Sequence, residues 1–169
     1  MKRLYIGRFQ PFHYGHLHLI EHIIKTTSTL LIGIGSAQYS HTLQNPFTYQ
    51  ERNIMIQKSL NERNITCFQI YSIPDIHNPP AWVDHVTQLV PDFDEIISNS
   101  SFTLSLFKEK GYQIKKTPLF NRTEYKGSYI RRCIIEKKPW SHLVPKSVFD
   151  YIQEINGVSR LLRLAAQNH

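Results

Sequence analysis

A run of ten residues near the start of the chain gathers groups that bind phosphate. The run is GRFQPFHYGH, from Gly7 to His16, between a short apolar stretch and an amphipathic one. This is the pattern of a strand, a loop and the start of a helix. The N–H groups and the dipole of a helix N-terminus attract anions, and the planar guanidinium of Arg8 fits phosphate oxygens. The run therefore predicts a polyphosphate site.

Two features sharpen this prediction. His13 and His16 are three residues apart, so both side chains can point into one site, and Gly15 allows a ligand to approach the backbone closely. No acidic residue precedes Glu21 to neutralise the cluster.

A second candidate phosphate motif lies near the C-terminal end, in the run GSYIRR from Gly127 to Arg132. Ser128 is a good N-cap residue, which predicts a helix that begins there. Arg131 then falls in the first turn, where a cation opposes the helix dipole. That placement is reasonable if an anion lies between the helix N-terminus and the guanidinium.

Apolar or β-rich runs alternate with helical patterns along most of the chain. The alternation predicts an α/β fold, a doubly wound parallel sheet with helices on both faces, in a single domain over residues 1–169 with a small C-terminal helical segment. Ligands of such sheets bind beyond the carboxyl ends of the strands. The loops that follow the predicted strands are therefore the candidate site, and they cover residues 8–16, 35–41, 75–82, 99–101 and 118–128.

The composition favours an anionic partner without identifying it. The net charge is +7 and the pI is about 9.5, which suits nucleic acid, a membrane surface or nucleotide phosphates. There is no apolar run of membrane-spanning length and no signal-peptide region. Cys67 and Cys133 are far apart within apolar segments, which predicts buried free thiols and a cytoplasmic protein.

The first run contains an HxGH signature, His13-Tyr14-Gly15-His16, and over its ten residues it is similar to archaeal-type nicotinamide-mononucleotide (NMN) adenylyltransferases of the nucleotidylyltransferase superfamily. The second run resembles the family's ISSTxIR signature, in which Ser128, Ile130 and Arg131 align. It departs in having Gly127-Ser128 in place of serine-threonine. The resemblance extends over nearly the whole chain.

The resemblance implies a Rossmann-like nucleotidylyltransferase fold and the transfer of AMP from ATP to NMN, which yields NAD and pyrophosphate. The NMN phosphate is already an anion, so catalysis depends on orientation and charge stabilisation. The implied catalytic residues are Arg8, His13, His16 and Arg131. The implied ATP-binding residues are Gly7, Arg8, Phe9, His13, Gly15, His16, Gly35, Ser36, Gln38, Ser128, Ile130 and Arg131. We expect Mg²⁺ to enter with ATP, without a protein metal site, and the family suggests a homo-oligomer.

The implied NMN-binding residues are Phe9, Gln10, Asp75, Trp82 and Asn99. Trp82 is the candidate for stacking on the cationic nicotinamide ring, and its alternative is a core tryptophan. Asp75 either binds the NMN ribose, orients the amide or caps a strand end. Two loops depart from the family here: Pro79 replaces an asparagine three residues before the tryptophan, and Asn99-Ser100-Ser101 replaces Gly-Asn-Pro.

Three other interpretations compete. The first is another acceptor on the same fold: nicotinate mononucleotide, phosphopantetheine or FMN. The second is a basic nucleic-acid-binding module, although the chain has no basic stripe with aromatic platforms. The third is a zinc peptidase, because His18-Leu-Ile-Glu-His22 matches the H-x-x-E-H pattern. No third zinc ligand is evident in the sequence.

Overall fold

Five strands form one parallel sheet. In the computed structural model, which describes residues 1–118 and 120–168, the strands are β1 (Lys2–Gly7), β2 (Thr29–Gly35), β3 (Phe68–Ile73), β4 (Glu95–Ser98) and β5 (Gln113–Ile114). Their spatial order is β3-β2-β1-β4-β5. The chain builds outward from β1 in one direction and then returns to build in the other, which confirms the predicted doubly wound sheet. Leu119, in the predicted loop over 118–128, lies outside the described residues.

The strands end together at the carboxyl edge of the sheet. Gly7 pairs with Ile34, Ile6 with Ser98, and Gly35 with Ile73. The residues that leave this edge include Arg8, Ser36 and Asn99, all of which belong to predicted binding loops. The strand order reverses between β1 and β4. Doubly wound sheets bind their ligands beyond the carboxyl ends of the strands at such a reversal.

The central strands are continuous apolar runs because they are buried on both faces. Leu4 and Ile6 of β1 pack with Leu31, Ile73 and Ile96. The core is completed by Val83 and Val86 of α3, by Val90 just after that helix, and by Phe107 of α4. A Cβ on Gly33 would meet the end of the Ile73 side chain, which would have to shift to make room for it.

Helices alternate with the strands as far as β5, as the sequence pattern predicts, and further helices follow β5. The helices are α1 (Tyr14–Ile24), α2 (Tyr49–Glu62), α3 (Pro79–Leu89), α4 (Ser101–Glu109), α5 (Gly127–Ile135), α6 (Lys146–Glu154) and α7 (Gly157–Gln167), with a short 3-10 helix over Ser141–Leu143. The last two form the predicted C-terminal helical segment. No helix in the described ranges has the length and apolarity needed to cross a membrane.

The described residues divide into two compact units. The first comprises Met1–Arg8, Glu21–Gln38 and Thr66–Pro118 and contains the whole sheet with α3 and α4. The second comprises Phe9–Ile20, Tyr39–Ile65 and the described residues from 120 onward, and contains α2 and α5 to α7. The single domain over residues 1–169 stays a prediction.

One burial prediction is wrong. Both cysteines are free, and Cys133 is buried, but Cys67 is exposed. Cys67 immediately precedes β3, which is an edge strand of the sheet. An apolar segment at a sheet edge keeps one side open to solvent, and the sequence pattern does not identify which strand is at the edge.

This difference predicts a two-step reaction with a thiol reagent. In the native protein Cys67 is expected to react rapidly, and Cys133 only after denaturation. Mass spectrometry of the alkylated protein before and after denaturant addition measures both. Equal native reactivity of the two thiols would contradict the burial of Cys133 on the inner side of α5.

Candidate active site

The loop that joins β1 to α1 is held in place by Gln10. Its side-chain Nε2 donates to the carbonyl of Phe47 at 2.9 Å, and its Oε1 accepts from the Phe47 N–H at 2.9 Å. Both ends of the buried amide are therefore used by one main-chain unit. The contact with NMN predicted for Gln10 stays a prediction; in this structure the amide binds Phe47.

Phe47 is itself fixed by the start of α2 and by α7. Thr48 and Glu51 are three residues apart in the sequence, the spacing that predicts a capping box, and the structure confirms this box at the start of α2. Arg160 of α7 donates to the Pro46 carbonyl at 3.0 Å and binds both carboxylate oxygens of Glu51, at 2.7 and 2.8 Å. Burial alone would raise the pKa of Glu51, but the hydrogen bonds from Arg160 and Thr48 hold that pKa below its ordinary value.

The two signature histidines are stacked. Their ring centroids are 3.6 Å apart with 21° between the planes, and Phe9 and Phe12 also pack against His16. A Cβ on Gly15 would lie 3.0 Å from the His13 ring and 2.9 Å from the Cβ of Tyr125. Gly15 is therefore needed for the packing of these side chains, in addition to the ligand approach that the sequence predicts.

Burial makes both histidines neutral. It lowers the pKa of His13 to about 3. Burial, together with the neighbouring His13, puts the pKa of His16 well below its ordinary value. The His13 N–H donates to Nδ1 of His16 at 3.2 Å, so the proton of the neutral His16 ring is on Nε2. The pair can then donate hydrogen bonds but does not carry fixed charge.

His13 also carries an orphaned polar atom. Its Nδ1 is buried and has no hydrogen-bond partner within the described chain. An unpaired buried polar group is costly, and such groups in native proteins call for an explanation, of which a bound ligand is one. The ring nitrogen is thus the clearest sign in the second unit that a polar ligand belongs here.

Helix α5 places Arg131 against the same loop. Arg131 Nη1 donates to the carbonyl of Gln10 at 2.7 Å. A Cβ on Gly127 would lie 2.8 Å from that same carbonyl oxygen, so a residue without a side chain is required at this contact. The carbonyl of Gln10 therefore fixes the guanidinium and the start of the helix together.

The predicted start of α5 is wrong by one residue. The N-cap is Lys126 and the first helical residue is Gly127, so Ser128 does not cap the helix. The tight contact of Gly127 with the Gln10 loop sets this boundary. The side chain of Ile130 is fully buried. Its predicted contact with ATP stays a prediction, and the groups that could make it are those of the main chain.

In the first unit, the loops after β2 and β3 are joined through Asp75. Ser36 Oγ donates to Asp75 Oδ2 at 2.7 Å. Gln38 Nε2 donates to the Asp75 carbonyl at 2.8 Å, and the Asp75 N–H donates to Gln38 Oε1 at 2.9 Å. Ser36 and Gln38, which are predicted to bind ATP, are thus both hydrogen-bonded to Asp75 in this structure. Near the end of β4, the predicted NMN residue Asn99 donates to the hydroxyl of Tyr5 at 3.5 Å.

A cavity of about 220 Å³ opens beside Asp75. Its lining residues come from the loop after β3 and from the first turns of α3 and α4: Asp75, Ile76, His77, Asn78, Pro79, Trp82, Phe102, Thr103 and Leu106. Pro79 is the first residue of α3, a position that suits proline, so the helix start accommodates this departure from the family. Among these described lining residues Asp75 is the one acidic residue, and none is lysine or arginine.

Trp82 and Phe102 provide aromatic surface to this cavity in different ways. Trp82 is half-buried and packs edge-to-face on the core residue Phe107, with centroids 5.9 Å apart. The core alternative for Trp82 therefore holds in part, because the ring touches the core. Trp82 also lines the cavity, and its stacking on nicotinamide stays a prediction. Phe102 is 60% exposed. Phe102 is not among the residues predicted from motifs, and its one signal in the sequence is its position just after the Asn99–Ser101 loop.

The described residues give the zinc interpretation no support. No group of three or more His, Cys, Asp or Glu side chains in residues 1–118 and 120–168 is placed to hold a metal ion. The ring of His18 instead packs against Tyr14, Phe120 and Tyr125, at centroid distances of 5.4, 5.8 and 5.7 Å.

Sequence comparison places the chain among known proteins over its full length. A family model described as cytidylyltransferase-like matches residues 4–133. The nicotinamide-nucleotide adenylyltransferase of Methanococcus aeolicus is 47% identical over 171 residues, covering 100% of this chain and 98% of the relative. The protein of the same name from Thermoplasma volcanium is 42% identical, covering 95% and 90% of the two chains.

Solved structures share the fold. A bifunctional NMN adenylyltransferase/ADP ribose pyrophosphatase from Francisella tularensis, complexed with AMP and a manganese ion, superposes with a TM-score of 0.80 at 23% identity. The match covers 99% of this chain and 52% of that one, so this chain spans about half of the bifunctional protein. A putative nicotinate-nucleotide adenylyltransferase from Vibrio parahaemolyticus gives 0.65 at 14% identity, over 94% of each chain.

The structural matches confirm the Rossmann-like nucleotidylyltransferase fold, and the full-length relatives narrow the assignment. The chain belongs to the cytidylyltransferase-like family and, within it, to the nicotinamide-nucleotide adenylyltransferases, which are ATP-dependent nucleotidyltransferases.

Proposed function

We propose that this chain transfers AMP from ATP to NMN, forming NAD and pyrophosphate. The observation that carries the proposal is the buried histidine pair, in which His13 Nδ1 lacks a partner and His16 has a donor at Nε2. Arg131 is anchored on the same loop. Hydrogen-bond donors beside a fixed cation suit a polyphosphate, and the full-length relatives carry the name of this activity.

The reaction needs no protein nucleophile and no general base. An oxygen of the NMN phosphate, already an anion, attacks the α-phosphorus of ATP. The new phosphorus–oxygen bond forms as the bond to the bridging oxygen of the β-phosphate breaks, and pyrophosphate leaves with its electron pair. Negative charge accumulates on the phosphoryl oxygens, so the protein's contribution is orientation and electrostatic stabilisation.

The histidines and the arginines divide this work. We assign His13 and His16 to the ATP phosphates, where neutral rings donate hydrogen bonds from a preorganised, water-poor position. Arg131, with Arg8 at the end of β1, supplies permanent charge that reduces the repulsion between the two substrate anions.

A divalent ion fits this site as part of the nucleotide. The residues assigned to phosphate carry imidazole, guanidinium and hydroxyl groups, whereas Mg²⁺ prefers oxygen ligands such as carboxylates, phosphates and water. We propose Mg²⁺ bound by the ATP phosphates and water, where it neutralises phosphate charge. The AMP and manganese ion of the Francisella tularensis structure support a divalent ion in general.

The cavity beside Asp75 suits the acceptor base. Aromatic surface from Trp82 and Phe102 matches a flat cationic pyridinium ring. A carboxylate without a lysine or arginine among the described lining residues favours the uncharged carboxamide over the carboxylate of nicotinate mononucleotide. A homo-oligomer, a cytoplasmic location and the absence of a nucleic-acid partner stay predictions.

An acceptor panel tests the proposal. Purified protein is incubated with ATP, Mg²⁺ and either NMN, nicotinate mononucleotide, phosphopantetheine or FMN, and chromatography measures the product and pyrophosphate. We expect the highest kcat/KM with NMN, because no lysine or arginine is among the described residues that line the cavity. A higher kcat/KM with phosphopantetheine or FMN would contradict the proposal.

The role of His16 is tested with His16→Asn. The asparagine oxygen can still accept from the His13 N–H, but the donor at Nε2 is lost. We expect kcat to fall about a hundredfold or more, the scale for one preorganised donor. His22→Asn, on the exposed side of the same helix, is the matched control and should retain normal kcat. Near-normal turnover by His16→Asn would remove His16 from the mechanism.

The aromatic residues of the cavity predict two different responses. Phe102→Ala should leave the melting temperature unchanged, because the side chain is 60% exposed, and raise the KM for NMN about threefold to thirtyfold. Trp82→Ala should raise that KM and also lower the melting temperature, because Trp82 packs on Phe107. The exposed Leu89→Ala on α3 serves as the control. If both cavity variants raise the KM for ATP and NMN alike, the cavity does not bind the acceptor base.

A further inference from the structure

The side chain of Gln38 continues the pairing of two strands beyond their ends. The last paired residues of β2 and β3 are Gly35 and Ile73. The next contact is the Ala37 N–H, which donates to the Ile73 carbonyl at 3.3 Å. The side-chain amide of Gln38 then pairs with the main chain of Asp75 as a neighbouring strand would. Gln38 Nε2 donates to the Asp75 carbonyl at 2.8 Å, and Gln38 Oε1 accepts from the Asp75 N–H at 2.9 Å.

The same loop also fixes the carboxylate of Asp75. Ser36, with a left-handed φ of 48°, donates to Asp75 Oδ2 at 2.7 Å. Because the main chain and one carboxylate oxygen are both held by the loop after β2, the direction of the carboxylate is set from outside its own loop. Asp75 is also a wall residue of the cavity assigned to the acceptor.

We propose that Gln38 is a positioning residue for the acceptor and acts through Asp75. It holds the Asp75 main chain so that Oδ1 faces the hydroxyl or amide N–H groups of a nucleotide acceptor. Both polar atoms of the Gln38 amide are used in this contact, so we assign the residue to acceptor affinity and not to the ATP contact that the family resemblance implies. This inference rests on the proposed function, because it takes the cavity as the acceptor site.

Steady-state kinetics of Gln38→Ala and Gln38→Glu test the inference. We expect the KM for NMN to rise at least about fivefold, the scale for losing two hydrogen bonds that orient a binding group, while the KM for ATP stays within about twofold. Gln38→Glu should be no better than Gln38→Ala, because a carboxylate cannot donate to the Asp75 carbonyl. The control is Gln57→Ala, which removes an exposed amide that bonds to Asn53 on α2.

Hydrogen exchange of the Asp75 amide gives a readout that needs no substrate. That N–H donates to Gln38 Oε1, so its exchange should be faster in Gln38→Ala and unchanged in Gln57→Ala. Unchanged exchange in Gln38→Ala overturns the inference. A rise in the KM for ATP alone also overturns it and returns Gln38 to the ATP site. If the wild-type protein fails to use NMN, the proposed function fails, and the exchange rates still decide whether Gln38 positions Asp75.

Discussion

The paired hydrogen bonds between the Gln10 amide and the main chain of Phe47 are the interaction on which the loop from β1 to α1 depends. They hold the side chain of Gln10, and the main-chain carbonyl of the same residue accepts a hydrogen bond from the Arg131 guanidinium. The anchor is itself supported, because Arg160 binds Pro46 and Glu51 on either side of Phe47 and Thr48. A short loop that must expose functional groups is thus made rigid by a buried amide.

Burial gives the signature histidines a different chemistry from that of surface imidazoles. Stacked rings in an apolar setting stay neutral, so permanent positive charge in this chemistry is left to arginine. Neutral donors recognise phosphate oxygens by direction, and a guanidinium attracts them over a longer range. Dividing the two tasks avoids burying several like charges close together, which would destabilise the folded loop.

Local patterns were sufficient for most of the fold. The alternation of apolar runs and amphipathic stretches predicted the order of the elements, and the capping box at Thr48 was read directly from its spacing. What the sequence missed depends on tertiary contacts. The start of α5 is set by the approach of Gly127 to the carbonyl of Gln10, and the exposure of Cys67 follows from the edge position of β3.

In the candidate site, too, local sequence patterns predict some features, whereas others depend on tertiary contacts. The sequence points to the HxGH run and Arg131 because their chemistry is concentrated in short motifs. By contrast, the bond from Gln38 to Asp75 joins residues 37 positions apart, and no local signal marks either as the other's partner. Phe102 was missed because it belongs to no motif. It is a candidate because α3 and α4 meet around the cavity that it lines.

The two aromatic residues of that cavity, Trp82 and Phe102, differ in how well the fold tolerates their substitution. Trp82 is shared with the core, so any change of its shape is felt by Phe107 and its neighbours. Phe102 stands largely in solvent and can be exchanged with little effect on folding. Under the proposed assignment of this cavity to the acceptor base, divergence of acceptor preference among descendants of this chain would begin at Phe102, and laboratory evolution toward altered pyridine rings would have its most permissive starting position there.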